Sequence, residues 1–120
     1  MLNLKNFYKK LSDLNIKFFC GVPDTLLNEF CLFIEKNVSD KNHVIAANEG
    51  SAIAIAAGHY LGSKELSLVY MQNSGLGNAL NPLLSLVGSN LYSIPMVLLI
   101  GWRGDPAFND HPQHINQGIL

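Results

Sequence analysis

Apolar positions along this chain follow two alternating rhythms. Leu4, Phe7, Tyr8, Leu11 and Leu14 recur at helical spacing, with Lys5, Lys9, Lys10 and Asp13 on the other side. That spacing predicts an amphipathic first helix from about Asn3 to Leu14. Ile16 to Cys20 is a short apolar run that reads as a strand. Gly21-Val22-Pro23-Asp24-Thr25 is a turn, in which Asp24 or Thr25 can cap a second helix. The buried face of that helix comes from Leu26, Leu27, Phe30, Phe33 and Ile34. His43 to Ala47 predicts a buried second strand, and a third helix follows to near Gly62. Leu66 to Met71 is a third strand, continuous in apolar residues as buried parallel strands are. Gln72 to Asn78 is a glycine-bearing loop. Pro82 suits the first position of a fourth helix running towards Gly88, with a start near Gly77 also open. Ile94 to Ile100 is a fourth strand, and residues 101–114 are irregular and polar.

The third helix carries no lysine, arginine or second acid after Glu49 until Lys64. Ala52, Ile53, Ile55, Ala56 and Tyr60 point in nearly every direction around it, and a helix apolar all round is buried all round. In so small a chain that burial calls for another chain or another part of this one. Gly50, Ser51, Ala54, Ala57 and Gly58 leave room for a second backbone to come close.

Strands alternating with helices predict an α/β fold, a parallel sheet flanked by helices and joined by right-handed crossovers. Ligands in such sheets bind beyond the carboxyl ends of the strands. The polar groups gather there: Asp24 after the first strand, Glu49 after the second, residues 73–78 after the third and residues 102–114 after the fourth.

Composition narrows the picture. A length of 120 residues allows one modest domain, and 48% hydrophobic against 14% charged residues leaves apolar surface for a partner. A net charge of −1 gives no support to nucleic acid or an acidic membrane as partner. Cys20 and Cys31 stand without a CxxC or ligand cluster, as reduced thiols in a cytoplasmic protein do. The first 20 residues lack the pattern of a signal peptide, and no apolar run approaches the roughly 20 residues that span a bilayer.

Two readings of Glu49 stay open on pattern alone. In the first turn of a helix a carboxylate meets unpaired N–H groups and the positive end of the dipole, worth about 0.3–1 kcal/mol. Alternatively it does chemistry. Asp24 is likewise open between a helix cap and a proton carrier, and Arg103 between a surface arginine and an anion-binding one. Gly75-Leu76-Gly77 by itself is a weak phosphate-loop hint, since most such glycines merely permit a tight turn. His111 and His114, with Pro112 between them, are not a metal motif, and no metal ligand is assigned in the chain. His43 and His59 are read as structural.

Together the four loops resemble the pyrimidine-binding domain of thiamine-diphosphate enzymes. Within that superfamily the chain is similar to the phosphonopyruvate decarboxylases. The matching stretches are Gly21-Val-Pro-Asp24, Ala47-Asn-Glu-Gly50, Tyr70 to Asn78, Ile94-Pro95, Ile100 to Pro106 and Pro112-Gln-His114. Sulfopyruvate decarboxylase alpha subunits share the Asn-Glu-Gly and Gln-Asn-Ser-Gly-Leu-Gly-Asn stretches, while Trp102-Arg-Gly-Asp-Pro106 favours the phosphonate family. The resemblance implies that Glu49 exchanges a proton with the cofactor's aminopyrimidine ring. It implies that Asn73, Ser74, Gly75, Leu76, Gly77 and Asn78 form a backbone shelf against the cofactor. It makes Asp24, Arg103, His111 and Gln113 candidates to hold the substrate, with Asp24 or His114 carrying a proton.

The implied reaction is decarboxylation of a 2-oxo acid, phosphonopyruvate giving phosphonoacetaldehyde and carbon dioxide, in phosphonate biosynthesis. Family members hold thiamine diphosphate between two domains, the second binding diphosphate and Mg2+ through a Gly-Asp-Gly stretch and a later Asn. Neither stretch occurs in these residues. Residues 1–120 are therefore expected to be the amino-terminal part of a pyrimidine-binding domain, truncated and inactive alone. Such a chain would need a diphosphate-binding domain or subunit and would belong to a homo-oligomer. Two further classes remain as alternatives: a flavodoxin-like phosphate- or nucleotide-binding module using residues 73–78, and a structural or regulatory partner subunit.

Overall fold

The computed structural model describes residues 3–105 and 107. Four helices and four strands alternate: α1 (Leu4–Asp13), β1 (Phe18–Gly21), α2 (Asn28–Asn37), β2 (His43–Ile45), α3 (Glu49–Ser63), β3 (Ser67–Gln72), α4 (Leu76–Pro82) and β4 (Val97–Gly101). All pairings are parallel, and the strand order is β2-β1-β3-β4.

That order explains the two cores. The chain steps from β1 to β2 in one direction, then back over β1 to β3 and on to β4. Right-handed crossovers therefore set α2 on one face and α3 and α4 on the other. Side chains alternate accordingly. Phe19, Leu68 and Tyr70 pack with Leu11, Ile16, Phe30 and Ile34 beneath α1 and α2. Phe18, Cys20, Val69 and Met71 pack with Ala52, Ile53, Ala56 and Ala79 beneath α3 and α4. Each fully buried large side chain contributes about 1.5–3 kcal/mol, so β1 and β3, buried along their length, anchor the sheet.

Local chemistry sets the element ends. Asn3 caps α1, its side chain accepting from the Asn6 amide at 3.1 Å. Asn48 caps α3 in the same way, accepting from Ser51 at 2.9 Å. Lys64 closes α3 in the left-handed region (φ 63°), its N–H donating to the Tyr60 carbonyl at 2.7 Å. Asp24 caps a 3-10 turn, Thr25–Leu27, that leads into α2.

Two expectations are corrected. The second strand is half-buried at the edge of the sheet, with Ile45 63% exposed, because the back-crossing places β1 and not β2 inside. Helix α3 agrees with its expectation, since this chain covers it along one side only: Ala52, Ile53, Ala56 and Ala57 are buried, while Ala54, Gly58 and Leu61 are left exposed. The fourth helix does not start at Pro82. It begins at Leu76, one residue from the alternative start near Gly77, after a 3-10 turn over Asn73–Gly75, and Pro82 is its last residue. Proline brings no N–H, so the turn that follows widens into a π turn over Leu83–Val87. The stretch expected as a loop at residues 76–78 is therefore helical. Leu76, Ala79, Leu83 and Val87 line one side of it at spacings of three and four, and all pack into the core beneath α3.

Candidate functional site

At the carboxyl edge the loops after β1 and β3 leave towards opposite faces, because α2 and α4 lie on opposite sides of the sheet. This is the switch point at which open α/β sheets bind ligands. Two side-chain clusters stand there.

The first is built on Glu49, the first residue of α3. Its side chain is half-buried. Oε2 accepts a hydrogen bond from Asn78 Nδ2 at 2.9 Å. The same side chain lies against Gly75: a Cβ on that glycine would stand 2.6 Å from Oε1 and 2.7 Å from Cδ. Gly50 has a matching role one residue along, since a Cβ there would stand 2.9 Å from the Asn78 carbonyl oxygen. Missing side chains at positions 50 and 75 thus let the head of α3 and the head of α4 meet. Gly77 has no such duty, because a Cβ on it would meet open space.

The second cluster joins the loops after β1, β3 and β4. Asp24 accepts from the Leu26 amide through Oδ2 (2.9 Å) and from Arg103 Nε through Oδ1 (3.3 Å). The guanidinium also donates to the Thr25 hydroxyl. The pair is largely withdrawn from water, with side-chain exposures of 8% for Asp24 and 14% for Arg103. Asn73, 1% exposed, fastens the backbone beneath it. Its Oδ1 accepts from the Arg103 amide at 3.1 Å, and its Nδ2 donates to the Arg103 carbonyl at 3.0 Å. Asn73 thereby imitates one more rung of the β3–β4 ladder, whose last backbone pair is Gln72 with Gly101. Gly101 makes room, since a Cβ there would lie 2.9 Å from Asp24 Oδ2. Ser74 takes a hydrogen bond from Gln72 Nε2 at 2.9 Å.

The structure therefore brings Glu49, Gly75 and Asn78 together, and Asp24, Asn73 and Arg103 together, at one edge of the sheet. His111, Gln113 and His114 lie outside the described residues. Sequence reasoning missed the Asn78–Glu49 bond, the Asn73 clamp on the Arg103 backbone and the Thr25 contact. The close-packing role of Gly50 and Gly75 was half visible, as glycines flanking an acid and an asparagine.

Other polar groups serve the frame. His43 shares a 2.9 Å hydrogen bond with the Tyr70 hydroxyl, and burial holds its imidazole below the usual histidine range. Burial likewise raises the Tyr70 hydroxyl. His59 stacks on Phe18 with ring centres 4.1 Å apart and meets Ser67 Oγ at 3.2 Å. Burial pushes the Cys20 thiol up to about 12 and raises Cys31 too, which leaves both as thiols and not nucleophiles. Among the described residues no three His, Cys, Asp or Glu side chains gather as metal ligands would, and no helix is long and apolar enough to cross a membrane. A groove of about 530 Å³ opens on the α1–α2 face, lined by Leu4, Thr25, Leu26, Leu27, Phe30 and Leu99, away from Glu49.

An open parallel sheet carrying an acid set among glycines at its switch point defines a ligand-binding α/β domain. The family model described as thiamine pyrophosphate enzyme, N-terminal TPP binding domain, matches residues 5–119, and the chain belongs to that family. Phosphonopyruvate decarboxylase of Streptomyces hygroscopicus is 37% identical over 116 residues, 95% of this chain and 27% of the relative. Sulfopyruvate decarboxylase subunit alpha of Methanocaldococcus jannaschii is 41% identical over 100 residues, 82% of this chain and 56% of the relative. Benzoylformate decarboxylase of Polynucleobacter necessarius matches in structure with a TM-score of 0.69 at 28% identity, over 86% of this chain and 19% of that one. The chain thus spans 27% to 56% of the length of these two curated relatives.

Proposed function

We propose that this chain forms the pyrimidine-facing part of a thiamine-diphosphate-dependent decarboxylase that converts phosphonopyruvate to phosphonoacetaldehyde and carbon dioxide. The observation that carries the reading is Glu49. Its carboxylate stands at the carboxyl edge against Gly75 with one oxygen taken by Asn78, in a chain of the thiamine pyrophosphate family. The residues fit the cofactor's aminopyrimidine: a carboxylate with one oxygen engaged can offer the other to a ring nitrogen, and Gly75 keeps the neighbouring backbone free of side chain. When bound, thiamine diphosphate supplies the electron sink for the bond to the departing carbon dioxide.

The chain's own residues then bind and move protons. Glu49 exchanges a proton with the pyrimidine. The turn and helix head from Asn73 to Asn78 form the shelf beside it. Arg103, oriented by Asp24 and Thr25, meets the anionic end of the substrate, where a dianion would share the guanidinium with Asp24. His111, Gln113 and His114 complete the proton and substrate contacts in this reading. Diphosphate and Mg2+ are held by a second domain or subunit, within a homo-oligomer in the cytoplasm.

Sulfopyruvate is the second substrate reading, favoured by the 41% identity to a sulfopyruvate decarboxylase alpha subunit. Trp102 and Arg103 within Trp102-Arg-Gly-Asp-Pro106 are the residues that favour the phosphonate. The test is turnover of both 2-oxo acids by the complete protein loaded with thiamine diphosphate and Mg2+, with and without Glu49→Gln. The amide should cost on the order of 100-fold or more in kcat, as loss of a general acid–base group does. A Glu49→Gln protein at full speed would end the reading.

A further inference from the structure

We propose that Asn78 and Gly75 are positioning residues that make Glu49 a one-sided acid, with Oε2 held as a fixed acceptor and the exchanged proton carried on Oε1. The inference rests on the proton-exchange role given to Glu49 above and adds which oxygen does the work and what selects it.

The geometry supplies the selection. Asn78 Nδ2 donates to Oε2 at 2.9 Å. A donor aimed at one oxygen stabilises the ionised carboxylate. When the acid is protonated, the same donor is best satisfied by the carbonyl oxygen of the carboxyl group. The proton then resides on the other oxygen, Oε1. Gly75 fixes where that oxygen lies, because a Cβ at this position would overlap Oε1, Cγ and Cδ. Any side chain at residue 75 would drive the carboxylate out of its place.

Asn78 is itself placed by two features of the backbone. Pro82 has no N–H to offer the Asn78 carbonyl four residues back, so the helix leaves that oxygen without its usual donor. Gly50, lacking a Cβ, lets the same carbonyl pack against the first turn of α3. Glu49-Gly50 on α3 and Gly75 with Asn78 at the head of α4 therefore interlock as one unit. A merely structural tie between two helix heads would use the same contacts. It would not, however, depend on which carboxylate oxygen carries the proton.

That difference is measurable in the complete enzyme reconstituted with thiamine diphosphate and Mg2+. Asn78→Asp puts a second carboxylate beside Oε2 and should move the acidic limb of kcat/KM upward by about one pH unit, a tenfold change in proton affinity. Asn78→Ala should move it the same way by less and lower kcat more than it raises KM. Asn78→Gln, which retains a donor, should recover part of the loss. A readout free of turnover is the titration of Glu49 by carboxyl carbon NMR in the cofactor-free protein, where Asn78→Asp should shift the midpoint in the same direction. Should Asn78→Ala fold poorly, the near-isosteric Asn78→Asp decides. Unchanged pH profiles and carboxyl titrations in all three variants, with Glu49→Gln inactive, would overturn this inference while leaving the proposed function standing. A fully active Glu49→Gln would remove both.

Discussion

The two clusters at the carboxyl edge use the same ingredients, a carboxylate, an asparagine and a glycine, and reach opposite electrical ends. Asp24, with Asn73 and Gly101, meets a guanidinium and spends its charge there. Glu49, with Asn78 and Gly75, meets an uncharged amide and no opposite charge. In the first cluster the asparagine holds backbone, and in the second it holds the acid. An acid matched by an opposite charge is suited to fastening loops, whereas one that meets only a neutral donor is suited to taking and giving a proton. Burial follows the same division, since Asp24 and Asn73 are shut away while Glu49 is half-open and Asn78 exposed.

The largest expected effect contrasts the two acids in steady-state kinetics. Glu49→Gln should act on kcat, by about 100-fold or more. Asp24→Asn should act chiefly on KM, because it removes the charge that orients the Arg103 guanidinium and leaves Glu49 untouched. The comparison breaks if the amides exchange these signatures.

Next in size is stability. Asn73→Ala removes two part-buried hydrogen bonds to the Arg103 backbone, and should cost about 1–3 kcal/mol in urea unfolding of the complete protein. Asn78→Ala exposes its partner to water and should cost less than about 1 kcal/mol. Equal losses would show that the asparagines do not divide the work as described.

The smallest effect separates pH-dependent stability from pH-dependent catalysis. The folded imidazole of His43 lies below its unfolded value, so the unfolded chain binds the extra proton first. Stability is full above the usual histidine range and falls as pH drops from there towards the folded value. The thermal midpoint should therefore decline between about pH 7.5 and about pH 5, and His43→Gln should flatten that decline. An unchanged slope in the variant would show that His43 does not carry it.

Much of this was legible in the sequence. Alternating rhythms of apolar residues gave all eight elements, the parallel sheet and the edge on which the polar loops gather. Strand order was not legible, because Val44 and Ile45 look as apolar as the strands that proved central, and only the back-crossing makes β2 an edge. Pro82 misled for a physical reason: a proline is favoured in the first turn of a helix, but here it ends one, with its i−4 bond missing and a π turn following. Glu49 and Arg103 stood out by residue type and by family resemblance. What each would touch did not, since Asn73 and Asn78 are the same residue five positions apart and only the fold makes one a clamp and the other a donor.

The Asn73 clamp has a consequence for how the substrate end can diversify. It grips the main chain of residue 103 and is indifferent to what projects from it. On the proposed function, replacing Arg103 would alter the headgroup a 2-oxo acid must carry while the Asn73 grip on the main chain remains, at the cost of the Arg103 side-chain bonds to Asp24 and Thr25. A frame of this sort is evolvable at one position, and exchanging that residue is the shortest route to redirecting the domain towards a differently charged keto acid.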